Sequence, residues 1–532
     1  MRGASIVLAL LLAGCVGRLE DLTPRRPAPR VPDGETRPRV CAPGARDVAG
    51  PRLLRRLTRE ELEASVRAVF DLDRDAWRGP RLAPDPASGD GYTNHADRLR
   101  VNEAYALQLR EVGEEVGAIV AARAGCAETS CAEAFVARVG RRAYRRPLTD
   151  AERARYRELV AVAGDAAIEA VVAAMIQSPH FLYRSELGAP DGREARLDGY
   201  ELATALAYTF TGAPPDDALL ERAPSLTDRD TRARVARELA LDDAGRPRPA
   251  FAAEVLRFAR GWLGLASLDN LGKRPDRFPA WTPEVREALG REVDAFLTRV
   301  LLEERGTVAE LLSSRTTTLD PVLAAYYGWG APGLAERPEG WGAGVLALGG
   351  VLAVRATNAA TSPTQRGHFV RTHVLCDPIE PPPPDLPPIP EPTDARTTRE
   401  RYERLHAEDE FCQGCHRLMD PIGFGFERLD ADGRLRALDN GFSIDDSGAI
   451  ESLDEGGPAR PFVGADELAA LLAADPAAAR CVGSFGATYA YGLSRADAEC
   501  LASGALDAVE ERPLVELFLE LALTRHFERR AL

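Results

Sequence analysis

Along most of this chain apolar residues recur at the three-and-four spacing of a helix facing a core, and strand-type alternation is scarce. After Asp198, for example, Leu202, Leu206, Thr209 and Phe210 fall on one helical face. The helix starts are equally marked. Thr58 with Glu61 has the spacing of a capping box, with Leu57 and Leu62 at the staple positions, and the pairs Thr149 with Glu152 and Asp198 with Glu201 repeat it. Segments rich in alanine, leucine, arginine and glutamate continue through residues 230–330 and 465–530. The longest uncharged apolar run, Trp341 to Val354, is short for a membrane span and reads as buried core. The pattern predicts a mainly α, multi-domain helical body.

Two stretches interrupt it. From Val16 to Gly50 the chain is rich in proline and arginine, which predicts a tether, and Pro378 to Pro392 is dense enough in proline to require an extended segment. The expected organisation is therefore a leader at 1–14, a tether at 15–50 and helical domains at 51–125, 126–186 and 187–335. A small domain at 336–454, containing the proline-rich segment 378–392, and a helical domain at 455–532 complete it.

A chain of 532 residues has room for about three to four compact units. Its net charge of −15 argues against a nucleic-acid surface. The arginines at 141, 142, 145 and 146 are flanked by acidic segments and read as a solvated or ion-paired face.

The N-terminus changes the picture. Arg2 supplies a positive start, Ala4 to Leu12 a short apolar stretch, and Ala13-Gly14 small residues ahead of Cys15. Leu12-Ala13-Gly14-Cys15 resembles the lipobox of bacterial lipoproteins, which implies cleavage after Gly14 and a lipid on Cys15. Membrane contact is then by this lipid alone, and no second stretch is expected to reach spanning length. Val16 in place of aspartate tilts the location to the outer membrane, facing the periplasm or the surface.

The chemistry sits just after the second break, at Cys412-Gln413-Gly414-Cys415-His416. A C-x-x-C-H run places two thiols on one turn, where both can add to the vinyl groups of a haem while the histidine takes the iron. The same residues can instead form a local disulfide, or begin a zinc site that recruits His406 or Cys376. With haem c attached through Cys412 and Cys415, His416 is the proximal ligand and His406, ten residues upstream, the first candidate for the sixth position. Met419 is a weaker candidate, better explained by core packing. His368 and His373 are further candidates, and an open sixth site is an alternative.

Nine cysteines, less Cys15 and the C-x-x-C pair, leave Cys41, Cys126, Cys131, Cys376, Cys481 and Cys500, an even set suited to an oxidising compartment. Short separations favour Cys126 with Cys131 and Cys481 with Cys500, which leaves Cys41 with Cys376. Asp430-Ala431-Asp432-Gly433 and Asp445-Asp446-Ser447-Gly448 lack the twelfth-position acid of a calcium loop and read as turns.

In order, the motifs resemble the uncharacterised multi-domain proteins of planctomycetes and myxobacteria that contain planctomycete-type cytochrome c domains. Leu57 to Leu62 with Tyr92-Thr93-Asn94-His95-Ala96 is similar to their first domain, and Arg142 to Thr149 to the second. Ser178 to Arg184 leads into a third, which continues through Tyr200 to Ala203, Pro215 to Leu220 and Trp262-Leu263. Thr361-Ser362-Pro363, Arg366-Gly367 and Cys412 through Asp430 are similar to the fourth, and Phe462 to the end, with Tyr489-Ala490-Tyr491-Gly492, to a fifth. The resemblance implies a small cytochrome c-like segment carrying the C-x-x-C-H motif, and imports no established activity.

Three functions are consistent with these features. One is electron transfer by a lipid-anchored monohaem protein with an unknown envelope redox protein. Another is a haem-dependent oxidoreductase acting on a bound, polysaccharide-derived substrate. The third is a non-enzymatic scaffold whose Cys412, Cys415 and His416 hold a disulfide or a metal.

Overall fold

The computed structural model describes residues 48–125, 129–380, 394–407, 410–453, 457–507 and 509–532. The expected leader, Cys15, Cys41, Cys126 and most of Pro378–Pro392 lie outside these residues. The body is mainly helical, and its short strands pair in twos and threes. All three capping boxes form: α1 (Arg59–Phe70) starts with Thr58 and Glu61 bonded reciprocally, and the Thr149–Glu152 and Asp198–Glu201 pairs do the same. A fourth, Thr307 with Glu310, was not singled out from the sequence.

The chain divides into two compact units, the first built from residues 62–84 and 101–184. Its centre is α2 (Glu103–Ala124), capped by Asn102 at its start and by left-handed Gly125 at its end. Leu109, Val112, Val116 and Val120 form its buried stripe. Here α2 meets α3 (Ala167–Gln177) backbone to backbone, since a Cβ at Gly113 would lie 3.1 Å from the Ala173 Cα. Counted as one continuous helix, Asp150–Gln177 holds an 18-residue window apolar enough to span a bilayer by length and composition. The expectation that no second stretch reaches that length is corrected on this point. Asp165 and Glu169 interrupt the uncharged run, and half of the window is buried inside the protein.

Arg145 departs from the expected solvated arginine face. It is 3% exposed and donates to the carbonyls of His180, Phe181 and Tyr183, which end the short helix before Arg184. Arg142 and Arg146 are ion-paired as expected, with Asp71 and Glu152.

The second unit comprises the described residues of 48–61, 85–100 and 185–532. Its edge is a three-stranded antiparallel sheet in which Arg529–Ala531 pairs with Glu194–Arg196 and that strand with Ala189–Asp191. Gly50 bridges to Arg530, so the described chain enters the unit beside its C-terminus. Inside, α4 (Gly199–Thr211) is buried on nearly every side. Phe251 and Phe258 of α5 (Pro249–Trp262) both meet Phe518 edge-on. The run from Trp341 is core, as the sequence predicts, with Val345, Leu346, Leu348, Val351 and Leu352 all buried.

Cys376 and Cys481 form a disulfide with Cα atoms 5.4 Å apart. This corrects both the Cys481–Cys500 and the Cys41–Cys376 pairings; Cys131 and Cys500 are also disulfide-bonded, and the Cys126–Cys131 pairing lies outside the described residues. Separation along the chain is a poor guide because tertiary packing sets which sulfurs meet. The segment ending at Val374 packs on the helix Pro476–Tyr491, and left-handed Cys376 turns the chain at its end. A cross-link spanning 105 residues restricts the unfolded chain strongly. Replacing Cys376 and Cys481 together with alanine is expected to lower the unfolding free energy by about 2–5 kcal/mol, measured by urea unfolding followed by circular dichroism.

Candidate functional site

The C-x-x-C-H residues lie on one helix and on one face of it. To name its neighbours in order, α6 is Pro363–Phe369, α7 is Thr398–Ala407 and α8 is Glu410–Phe424. Positions three and four apart on a helix share a face, so α8 presents Cys412, Cys415 and His416 together. Cys412 is buried, Cys415 is half-buried, and both carry reduced thiols. No Cys412–Cys415 disulfide forms.

Helix α8 continues through Pro421 to Phe424. In the turn before the proline, the Leu418 carbonyl accepts a hydrogen bond from Arg371 Nε at 2.8 Å, which ties this part of the helix to the segment after α6.

Two glycines seat α8 against α6. A Cβ on Gly367 of α6 would run into the Met419 carbonyl, and one on Gly423 of α8 would run into the Pro363 carbonyl. The two helices therefore touch backbone to backbone at both ends of the contact. Arg366, fully buried, then fastens the chain that leaves α8 by donating to the carbonyls of Phe426, Leu429 and Asp430. Its neighbour Glu427 is just as deep. Glu427 accepts from Thr361 Oγ1 at 2.8 Å and from Arg436 at 2.7 Å, so the buried charges are paired.

This seating brings Thr364 of α6 onto α8 one turn beyond His416. Thr364 Oγ1 donates to Asp420 Oδ1 at 2.6 Å. From α7, His406 Nδ1 reaches Asp420 Oδ2 at 2.7 Å, and His416 Nδ1 lies 3.2 Å from the same oxygen. The two imidazoles stack, with ring centroids 3.4 Å apart and planes 25° apart, and Tyr402 meets His406 edge-on. Burial pushes the Asp420 carboxyl up, but hydrogen bonds from His406, His416 and Thr364 outweigh it and hold the carboxyl below its usual range. Asp420 is therefore ionised at neutral pH and can only accept. Each histidine then carries its proton on Nδ1 and leaves Nε2 with a lone pair when neutral.

His416, His406 and Asp420 are also the cluster of metal-ligand type among the described residues, with one ligand atom from each lying within 4.8 Å of the others. Sequence reasoning had named the two histidines and missed Thr364 and Asp420. Asp420 was legible in principle, since it stands four residues after His416 on the same helix face. Nothing in the local sequence marks Thr364, which arrives through the packing of α6.

The chain matches four family models in order. They are PSD3, protein of unknown function (DUF1587), at residues 55–122; PSD5, protein of unknown function (DUF1595), at 131–186; PSD4, protein of unknown function (DUF1592), at 197–329; and PSCyt3, protein of unknown function (DUF1588), at 342–439. These four planctomycete cytochrome-associated domains are present. No curated protein and no solved structure matches the chain. The PSCyt3 match contains every residue of the site just described, from Thr364 through Asp420 to Arg436.

The remaining candidates lie elsewhere. Met419 is 6% exposed, with its backbone against Gly367. His368 is exposed. His373 is clamped between Phe369 and Phe485, at centroid distances of 4.9 and 5.0 Å, and its Nδ1 lies 2.8 Å from Thr372 Oγ1. Asp430–Gly433 is a turn closed by its own hydrogen bonds, as expected. Asp445–Gly448 corrects the same expectation: Ser447 and Gly448 open the strand Ser447–Ile450, which pairs with Arg460–Val463, and the Asp445 carboxylate accepts from the Ser447 N–H.

Two outcomes follow from this packing. Gly423→Ala is expected to destabilise the second unit by about 1–3 kcal/mol or more, the cost of forcing a methyl into a backbone contact, read as a lower urea midpoint. The second concerns pH. Burial, reinforced by Arg355, pushes the His373 imidazole down to about 3. Between about pH 6.5 and 3 the unfolded chain therefore holds a proton here that the folded chain does not, so stability falls as pH falls through that window. His373→Phe keeps the ring stack and removes the proton site. Its urea midpoint should drop less between pH 7 and 4 than that of the native chain, and equal slopes would refute the assignment.

Proposed function

We propose that this protein is an envelope lipoprotein that binds one covalent haem c and passes electrons, one at a time, to or from an unknown envelope partner. The observation that carries the reading is the set on α8: two reduced thiols and a histidine on one helix face, with the histidine's Nδ1 committed to Asp420 and its Nε2 left for a metal. That donor set fits a c-type haem. Cys412 and Cys415 would hold it through thioether bonds, His416 would ligate it, and the bound group would supply one-electron chemistry. The chain's own part is to orient the ligand. Asp420 fixes the tautomer of His416, and α6 fixes Asp420 through Thr364. The PSCyt3 match over the same residues supports a cytochrome-related role. The lipid on Cys15 would keep the protein at the membrane, and the oxidised Cys376–Cys481 pair fits a compartment outside the cytoplasm.

A second reading has one specific observation in its favour. His406, His416 and Asp420 bring ligand atoms close enough to hold a zinc-type ion without haem.

Intact mass, a pyridine haemochrome spectrum and metal analysis separate the two. Mature protein expressed with c-type maturation machinery is expected to gain the mass of one haem and show a c-type band, both lost in Cys412→Ala, Cys415→Ala. Stoichiometric zinc with no haem gain would overturn the cytochrome reading in favour of the metal site.

A further inference from the structure

We infer that Asp420 sets how strongly the His416 imidazole donates to the iron, and so sets the reduction potential of the haem, with His406 and Thr364 grading the effect; this rests on the haem-binding reading above. A carboxylate that accepts the Nδ1–H of a ligating histidine draws the proton toward itself and raises the basicity of the opposite ring nitrogen. A more basic ligand favours the ferric over the ferrous state. The potential therefore falls as the Asp420–His416 hydrogen bond strengthens. The step concerned is the transfer of one electron between the iron and an external one-electron carrier, and no proton needs to move.

The carboxylate is shared, and the sharing is what makes it adjustable. His406 at 2.7 Å and Thr364 at 2.6 Å are both closer to Asp420 than His416 is at 3.2 Å. Each withdraws negative charge from the carboxylate and weakens its pull on the His416 proton. The three donors come from three different helices, α6, α7 and α8. The potential is thus tied to how these helices pack.

The same geometry redefines His406. Two histidines that ligate one iron from opposite sides must hold the metal between them. Here the rings lie directly on one another, 3.4 Å between centroids, and both Nδ1 atoms serve one carboxylate. His406 supports His416 through Asp420 and does not stand across the iron from it. It is a positioning residue.

The test is a redox titration of haem-loaded, full-length mature protein, with variants chosen to move the potential in opposite directions. Asp420→Asn keeps the shape of the side chain and removes its charge. At the native midpoint it should raise the ferrous-to-ferric ratio about tenfold, an upward shift of about 59 mV for one electron. His406→Phe keeps a ring on the stack and removes one competing donor, so the ratio should fall. A merely structural role for these residues predicts no such opposition of sign. Haem retained with both midpoints unchanged, or shifted in the same direction, overturns the inference and leaves the haem reading standing. Wild-type protein without covalent haem overturns both. If Asp420→Asn does not load, His406→Phe decides alone, and any result other than a lowered midpoint overturns the inference.

Discussion

The site depends on one contact, the backbone-to-backbone approach of α6 and α8. Neither helix can come closer, and neither can carry a side chain at the touching positions, because Gly367 faces the Met419 carbonyl and Gly423 faces the Pro363 carbonyl. Part of what surrounds His416 follows from this spacing. It places the Thr364 hydroxyl on Asp420, and it lets buried Arg366 reach the three carbonyls beyond the end of α8. The cost of burying so much charge is offset locally, since Arg366 and Arg436 both sit within ion-pair reach of Glu427.

The second constraint acts at the other end of α6. His373 lies between two phenyl rings, one of them Phe485 from the helix Pro476–Tyr491, and Trp262 donates its indole N–H to the His373 carbonyl. Three residues later the Cys376–Cys481 bond joins the same two pieces covalently. The small segment bearing the site is therefore held by a wedge of aromatic rings and a cross-link as well as by the two glycines. Its histidine clamp is most secure when the imidazole is uncharged, which the buried surroundings enforce.

Much of this was legible in the sequence, at the places where chemistry is local. Helix starts at Thr58, Thr149 and Asp198 depend on residues three apart and formed as read. The C-x-x-C-H residues share a face because helical geometry requires it. The buried run from Trp341 was legible because its apolar residues leave no polar side to expose. What failed depended on distant parts of the chain meeting. Disulfide partners 105 residues apart could not be inferred from separation, and the carbonyls that receive Arg145 come from residues 180–183. Thr364 is the clearest case: an unremarkable threonine in the sequence becomes part of the site only through the glycines on either side of the helix contact.

The Cys376–Cys481 bond also constrains the order of events during biogenesis. Its 105-residue loop encloses both Cys412 and Cys415. In a chain delivered N-terminus first into an oxidising medium, Cys376 emerges before those two thiols, and its lasting partner comes well after them. Pairing by order of arrival would join Cys376 to Cys412 or Cys415 and trap a misfolded intermediate. In a chain delivered that way, native pairing would be favoured by capping the two motif thiols as they emerge, or by an isomerase that undoes the early error. The competence of the site is, in that sense, a matter of timing as much as of geometry.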